Sequence, residues 1–236
     1  VKIVTVQFDY PLELNKPKYS KLLEAFRRSV RLTMPGATFE EHRIPAPDPV
    51  EGRDLAFVSN TVKLQKWVEV MDSANEPVIF ADCDMLATGC AKHVFDRDFD
   101  VAYTARTQPS RCIINGGVIF AKPTAYARAF FRRFLEVNLK MFDDPGFHAP
   151  WKQKYVGYNQ AAFGYLLENP DYQAALLELP CRVYNAVDND WHMIDGNTVF
   201  VHIKGQLRRY VLAGKKPFDK FARAMEAWYD SINGRN

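Results

Sequence analysis

Apolar and polar positions follow two rhythms in the first half of the chain. Residues 2–8 form a β-rich apolar run, and residues 18–33 then set Tyr19, Leu22, Leu23, Phe26 and Val30 on one helical face. Lys21, Glu24, Arg27, Arg28 and Arg31 fall on the opposite face. Pro35-Gly36 stops that helix, 38–44 reads as a second strand, and Pro45, Pro47 and Pro49 stiffen the loop after it. The helical pattern returns over 55–73 and breaks at Asn75-Glu76-Pro77. Val78-Ile79-Phe80-Ala81 follows with no polar alternation, the mark of a central strand covered on both faces. Further strands are predicted at 101–105, 113–121 and 199–203, helices at 124–142, 159–168 and 217–232, and a loop over 143–155. Strands alternating with helices predict an α/β chain, and with no break in composition, one domain over 1–236.

Composition narrows the picture. With 236 residues and 47% hydrophobic content, one large core is expected in preference to two small ones. A net charge of +3 is too weakly basic to point to nucleic acid, though it suits an anionic substrate. No run approaches the roughly 18 apolar residues of a bilayer span, so at most a peripheral membrane contact is expected. Val1-Lys2-Ile3-Val4-Thr5-Val6 is too short and polar-flanked for a signal peptide, while the missing initiator Met leaves room for a removed targeting segment. Cys83, Cys90, Cys112 and Cys181 show no CxxC spacing; reduced thiols in the cytoplasm are the expectation.

Candidate chemistry begins where the buried strand ends. Asp82-Cys83-Asp84 follows Ala81 directly, and ligands of open α/β sheets gather beyond the carboxyl ends of strands. In extended chain, Asp82 and Asp84 would share one face and converge, with Cys83 as an inward filler. Two close carboxylates repel unless a cation offsets them, and oxygen ligands suit Mg²⁺ or Mn²⁺. The alternative is an ordinary acidic turn.

Three further segments carry similar ambiguity. Asn115-Gly116-Gly117 interrupts an apolar strand, so either something approaches its backbone closely or the strand bulges. Asn159 and Gln160 stand at a helix start, as a cap or as amides facing a ligand. His202 ends a late apolar strand before Lys204 and Gly205, as a structural imidazole or a metal ligand. Arg208, Arg209, Lys215 and Lys216 follow in what reads as a Gly-containing loop, able to neutralise phosphates or simply solvated. Asp188 and Asp190 flank Asn189 before Trp191, either as a polar loop beside a core Trp or as general bases.

Taken in order, these segments resemble the GT-A retaining glycosyltransferases that include glycogenin and the bacterial lipopolysaccharide galactosyltransferases. The family's DxD, Asn-x-Gly strand, Asp-Gln helix start and HxxGxxK correspond to Asp82-Cys83-Asp84, Asn115-Gly116-Gly117, Asn159-Gln160 and His202 to Arg208. Leu179-Pro180 and Tyr184-Asn185 match a further Leu-Pro … Tyr-Asn element. The resemblance implies a Rossmann-like domain with a mixed central sheet flanked by helices. It implies a hexosyltransferase of carbohydrate biosynthesis that moves a hexose from a nucleotide-sugar, such as a UDP-hexose, to a glycan, lipid-linked or protein hydroxyl with retention. Asp82, Asp84 and His202 would hold Mn²⁺ or Mg²⁺. Lys63, Asn115, Gly116, Gly117, Gly205 and Arg208 would serve the donor, with Gln160 and Asn159 at the sugar. Gln65 and Lys66 are looser donor-side matches, and loops 103–111, 147–154 and 188–192 are expected on the acceptor side.

The chain departs from that pattern in three places. Asn159 replaces the usual Asp, Arg208 stands at the Lys position of HxxGxxK with Pro217-Phe218 far behind it, and Thr5 to Asp9 does not follow the usual nucleotide-base segment. An inverting enzyme with Asp188 or Asp190 as base is one alternative, and a non-catalytic nucleotide- or carbohydrate-binding protein another. A nucleotidyltransferase would need a Gly-rich basic loop after the first strand, where Asp9-Tyr10-Pro11-Leu12-Glu13 stands instead.

Overall fold

The computed structural model describes residues 1–10, 19–106 and 113–233. Six strands form the main sheet: β1 (Lys2–Asp9), β2 (Thr38–Pro45), β3 (Val78–Ala81), β5 (Val101–Ala105), β6 (Ile114–Ala121) and β7 (Leu176–Pro180). Their order is β2-β1-β3-β6-β5-β7, and β6 alone runs against the other five. The sheet is therefore mixed, as expected. The carboxyl ends of β1, β3, β5 and β7 share one edge with the start of β6, which gathers the candidate residues. A second, two-stranded sheet pairs β4 (Met85–Ala87) with β8 (Phe200–His202).

Helices cover both faces. On one side α2 (Leu55–Ser73), α3 (Ala125–Asp143) and α5 (Tyr158–Glu168) pack on the sheet; on the other lie α1 (Tyr19–Thr33) and α8 (Ala222–Asn233). β3 bears out its apolar run: Val78 and Phe80 enter the first core, Ile79 and Ala81 the second, and all four are at most 1% exposed. Asp54 and Thr124 cap α2 and α3 by accepting backbone N–H bonds of 2.9 and 3.0 Å from Ala56 and Ala127. Among the described residues no helix is long and apolar enough to cross a membrane. Cys83, Cys90 and Cys181 are free thiols; Cys112 lies outside the described residues.

The structure corrects four local readings. Residues 143–155 are not a loop but contain α4 (Pro145–Tyr155), capped by Asp144, whose carboxylate accepts from Phe147 N at 3.0 Å. Pro145 sits in the first turn, where its missing N–H costs nothing. The helix tolerates Pro150 because Phe147 and Trp151 anchor it edge-on to Tyr165 of α5, at 5.3 and 5.1 Å. Of the residues expected in a basic loop after His202, Arg208 and Arg209 instead sit in α7 (Gly205–Leu212), held by buried Leu207 and Val211 one turn apart, while Lys215 and Lys216 do follow Gly214 in a loop. β7 and the short α6 (Cys181–Tyr184) were not anticipated as elements. The final helix begins later than predicted, after a 3-10 turn at Asp219–Phe221.

Gly164 lets α5 lie against α4. A Cβ there would stand 2.3 Å from the Tyr155 ring, which is itself fixed by a hydrogen bond to Glu168. Gly164→Ala is expected to lower stability by about 1–3 kcal/mol through overpacking, read as a reduced midpoint in chemical denaturation. An unchanged midpoint would show that the helices slide apart freely.

Candidate active site

Asp82 and Asp84 converge, but not through strand alternation. β3 ends at Ala81, and Asp82 to Met85 form a tight turn in which Met85 N donates to Asp82 O at 3.3 Å. The turn leads straight into β4, which registers Met85 opposite His202. Ile203 N then donates to Asp84 O at 2.7 Å, so an imidazole 118 residues away is set against the acidic turn. His202 Nε2 lies 3.1 Å from Asp84 Oδ1 and 3.7 Å from Asp82 Oδ2. One ligand atom from each of the three lies within 4.8 Å of the others.

Gly117 of β6 leaves room for this cluster. A Cβ on Gly117 would stand 2.7 Å from His202 Nδ1, a distance no side chain tolerates. Gly117 O also accepts Asp82 N at 2.9 Å. Beside Gly116 lies the Gln160 carboxamide, 3.8 Å from where its Cβ would be. Both sequence alternatives for this strand hold, since β5 and β6 shift register between Tyr103 and Thr104. Asn115 is 3% exposed: its Oδ1 accepts Gly117 N, and its Nδ2 donates to Cys181 Sγ. Asn185, fully buried, donates to Thr104 Oγ1 and Asn115 O, tying the strands together.

Cations balance the acids. Lys63 Nζ lies 2.8 Å from Asp82 Oδ1, and Arg208, from α7, donates to Asp84 Oδ2 and to Tyr19 Oη at 3.1 and 2.9 Å. Burial opposes the ionisation of Asp84, but His202 and Arg208 outweigh it and hold the carboxyl below the usual range. Burial, with the charges of Asp84 and Asp82, pushes the Cys83 thiol well up, which suits no nucleophile. Gln65 is exposed and Lys66 pairs with Glu69, so of the three matched positions on α2 only Lys63 reaches the cluster.

Two adjoining cavities open on these residues. The larger, about 470 Å³, is lined by Val6, Phe8 and Tyr10 at the end of β1, by Tyr19, and by Gly205 and Arg208. The smaller, about 100 Å³, is walled by Asn115, Gly116, Gly117, Asn159 and Gln160 over Trp67 and Phe163. Asn60, Lys63, Asp82, His202 and Lys204 border both. Asn159 is not the helix cap; Gly157 is, and the Asn159 amide donates to Asn60 O at 3.0 Å while its Oδ1 is buried without a partner.

Asp188 and Asp190 line neither cavity. Burial raises the Asp188 pKa, but Arg106 at 2.7 Å and Lys204 at 3.6 Å prevail and hold it low. Burial leaves Asp190 above the usual range. Of the expected acceptor-side loops, 147–154 falls in α4 and 188–192 in a 3-10 turn, while 103–111 begins with the buried end of β5 at Tyr103 to Ala105 and its residues 107–111 lie outside the described residues. Sequence reasoning gave no role to Asn60, Phe8, Tyr10 or Lys204. A cation two residues after His202, where the strand ends, was the available signal for the last.

The low Asp84 pKa has a signed consequence. Its stabilisation is complete above the unfolded aspartate value of about 3.9 and is lost as pH falls through the lower folded value. In metal-free buffer, Asp84→Asn is expected to flatten the rise of stability with pH across that acid range. A slope unchanged from the parent would contradict the ion-pair assignment.

No protein-family model matches the sequence, and no curated protein matches it. Solved structures do. A glycosyltransferase involved in glycosylation of the major capsid of PBCV-1 shares 15% identity at a TM-score of 0.59, with 96% of this chain and 100% of that one covered. LgtC galactosyltransferase, solved with donor and acceptor sugar analogs, shares 13% identity at 0.58, with 99% and 96% covered. The glycosyltransferase GlyE of Streptococcus pneumoniae TIGR4 shares 14% identity at 0.58; the match covers 98% of this chain and 60% of GlyE. At these identities the likeness speaks for architecture, and the chain has the GT-A glycosyltransferase fold.

Proposed function

We propose that the protein is a single-domain, metal-dependent glycosyltransferase that moves a hexose from a nucleotide-diphosphate sugar to a hydroxyl acceptor with retention. The observation that carries this reading is the meeting of Asp82, Asp84 and His202 at the border of a larger and a smaller cavity. Two carboxylates and one imidazole fit Mn²⁺ or Mg²⁺, and Gly117 leaves the ring space to face both acids. When bound, the cation supplies Lewis-acid stabilisation of a diphosphate.

The chain's own residues divide the remaining work. Phe8, Tyr10 and Tyr19 give the larger cavity an aromatic wall suited to a nucleoside, uridine by resemblance. Lys63 and Arg208, already beside the acids, share the charge of a diphosphate lodged there, with Gly205 making the left-handed turn, φ 55°, that starts α7. Gln160 and Asn159 present amides to the sugar in the smaller cavity, floored by Asn115, Gly116 and Gly117. LgtC, by its description a galactosyltransferase, supports a hexose donor. Retention is favoured because Asp82 is the sole carboxylate among the described residues lining the smaller cavity, and Lys63 engages it. An inverting reaction needs a free base at the acceptor hydroxyl. The acceptor is taken to be a glycan, lipid-linked or protein hydroxyl, and the compartment the cytoplasm, with peripheral membrane contact at most.

A thermal-shift panel of nucleotide-sugars with and without Mn²⁺ tests the reading. The true donor raises Tm, and more so with metal, by mass action. Metal-dependent turnover of that donor should fall at least about 100-fold in Asp84→Ala, the scale of one lost stabilising group. Equal behaviour of every nucleotide-sugar and a buffer blank would sink the function, and full turnover in Asp84→Ala would sink the metal site.

A further inference from the structure

Lys204 stands apart from the other cations of the site. Lys63 and Arg208 are each paired with one acid of the cluster, at 2.8 and 3.1 Å. Lys204 borders the same two cavities, but its ammonium turns outward to Asp188 at 3.6 Å. That carboxylate is already met more closely by Arg106, at 2.7 Å. One anion thus faces two cations, and Lys204 is the looser of them, with a third of its side chain exposed. Asp188 is itself held in a left-handed conformation, φ 53°, at the start of its 3-10 turn. A non-glycine residue there marks a fixed, strained position.

Charge bookkeeping gives this arrangement a use, on the nucleotide-sugar reading above. Lys63, Arg208 and a divalent cation together offset Asp82, Asp84 and the two charges of a donor diphosphate. When the sugar–phosphate bond breaks, its electron pair stays on the phosphate oxygen. The acceptor oxygen takes the sugar, and the hydroxyl proton ends in water. The nucleoside diphosphate then carries one negative charge more than the donor, since a terminal phosphate releases its second proton near pH 6. Among the described residues lining the two cavities, Lys204 is the one Lys or Arg not already paired with Asp82 or Asp84.

We propose that Lys204 is the cation that meets it, leaving Asp188 for the terminal phosphate as the bond breaks, with Asp188 and Arg106 forming its resting place. Lys204 then contributes more to the leaving diphosphate than to the intact donor, which is the differential binding that raises kcat. Asp188 is a positioning residue and not the base that its sequence context suggested.

The test is calorimetric titration of the full chain in Mn²⁺ with UDP, with inorganic pyrophosphate and with UDP-glucose, for the parent, Lys204→Ala and Lys204→Arg. Lys204→Ala is expected to weaken UDP and pyrophosphate about tenfold, the scale of one charge-assisted hydrogen bond, and UDP-glucose by less than about threefold. Lys204→Arg should restore most of the difference. Asp188→Asn, which keeps the shape and the left-handed backbone but removes the competing charge, should tighten UDP, and should do nothing in a Lys204→Ala background. Equal weakening of all three probes by Lys204→Ala, or none, overturns the inference while the functional reading stands. A parent protein that binds none of them overturns both.

Discussion

The pairing of β4 with β8 is the contact on which the site depends. β3 delivers Asp82 and Asp84 to the edge of the main sheet, but a turn of two acids alone is an electrostatic liability. Registering Met85 against His202, with Ile203 N bonded to Asp84 O, brings an imidazole nitrogen to the acids from the far end of the chain. The pairing is itself supported: His202 N donates to Ala186 O, and Trp191 Nε1 donates to His202 O. Gly117 on β6 is the complementary concession, an absent side chain in the space the imidazole occupies. Two small strands and one glycine thus turn an acidic turn into a cluster of three residues able to hold a metal ion.

Around that cluster the charges are arranged by role. Lys63 and Arg208 neutralise the acids directly, and each is steadied by an aromatic ring, Trp67 at 5.0 Å and Tyr19 at 5.1 Å. Lys204 is held at the rim by a carboxylate that has a closer partner. On the proposed reading, a site for anions needs cations that do not collapse onto its own acids, and the Asp188–Arg106 pair would keep one of them in reserve. The two cavities meet across the cluster, so a ligand with a large nucleoside end and a small sugar end would straddle it.

Much of this was legible because local pattern and burial agreed. The unbroken apolar run of β3 and the helical stripes of α1, α2 and α3 each reappear with their apolar residues inside. α4 was hidden by its two prolines, although Phe147, Trp151 and Tyr155, four apart, marked one helical face. α7 was hidden by its glycine and charges, with only Leu207 and Val211 to betray it. The acids were found for a partly mistaken reason: they converge by a turn and not by the two-residue period of a strand. The proximity of His202 to them, and of Lys204 to Asp188, arises from tertiary pairing that no local periodicity encodes. The family resemblance supplied the first of these and was silent on the second.

The central claim is that Asp82, Asp84 and His202 form a divalent metal site whose geometry depends on the space at Gly117. Titration of Mn²⁺, followed by the EPR signal of the free ion, addresses it in the parent and in Gly117→Ala, which removes no donor atom but crowds the imidazole. The account predicts one Mn²⁺ site in the parent and an affinity lower by about 10–100-fold in the variant, the range found when support of a metal ligand is lost. A folded Gly117→Ala protein that binds Mn²⁺ as tightly as the parent would contradict it.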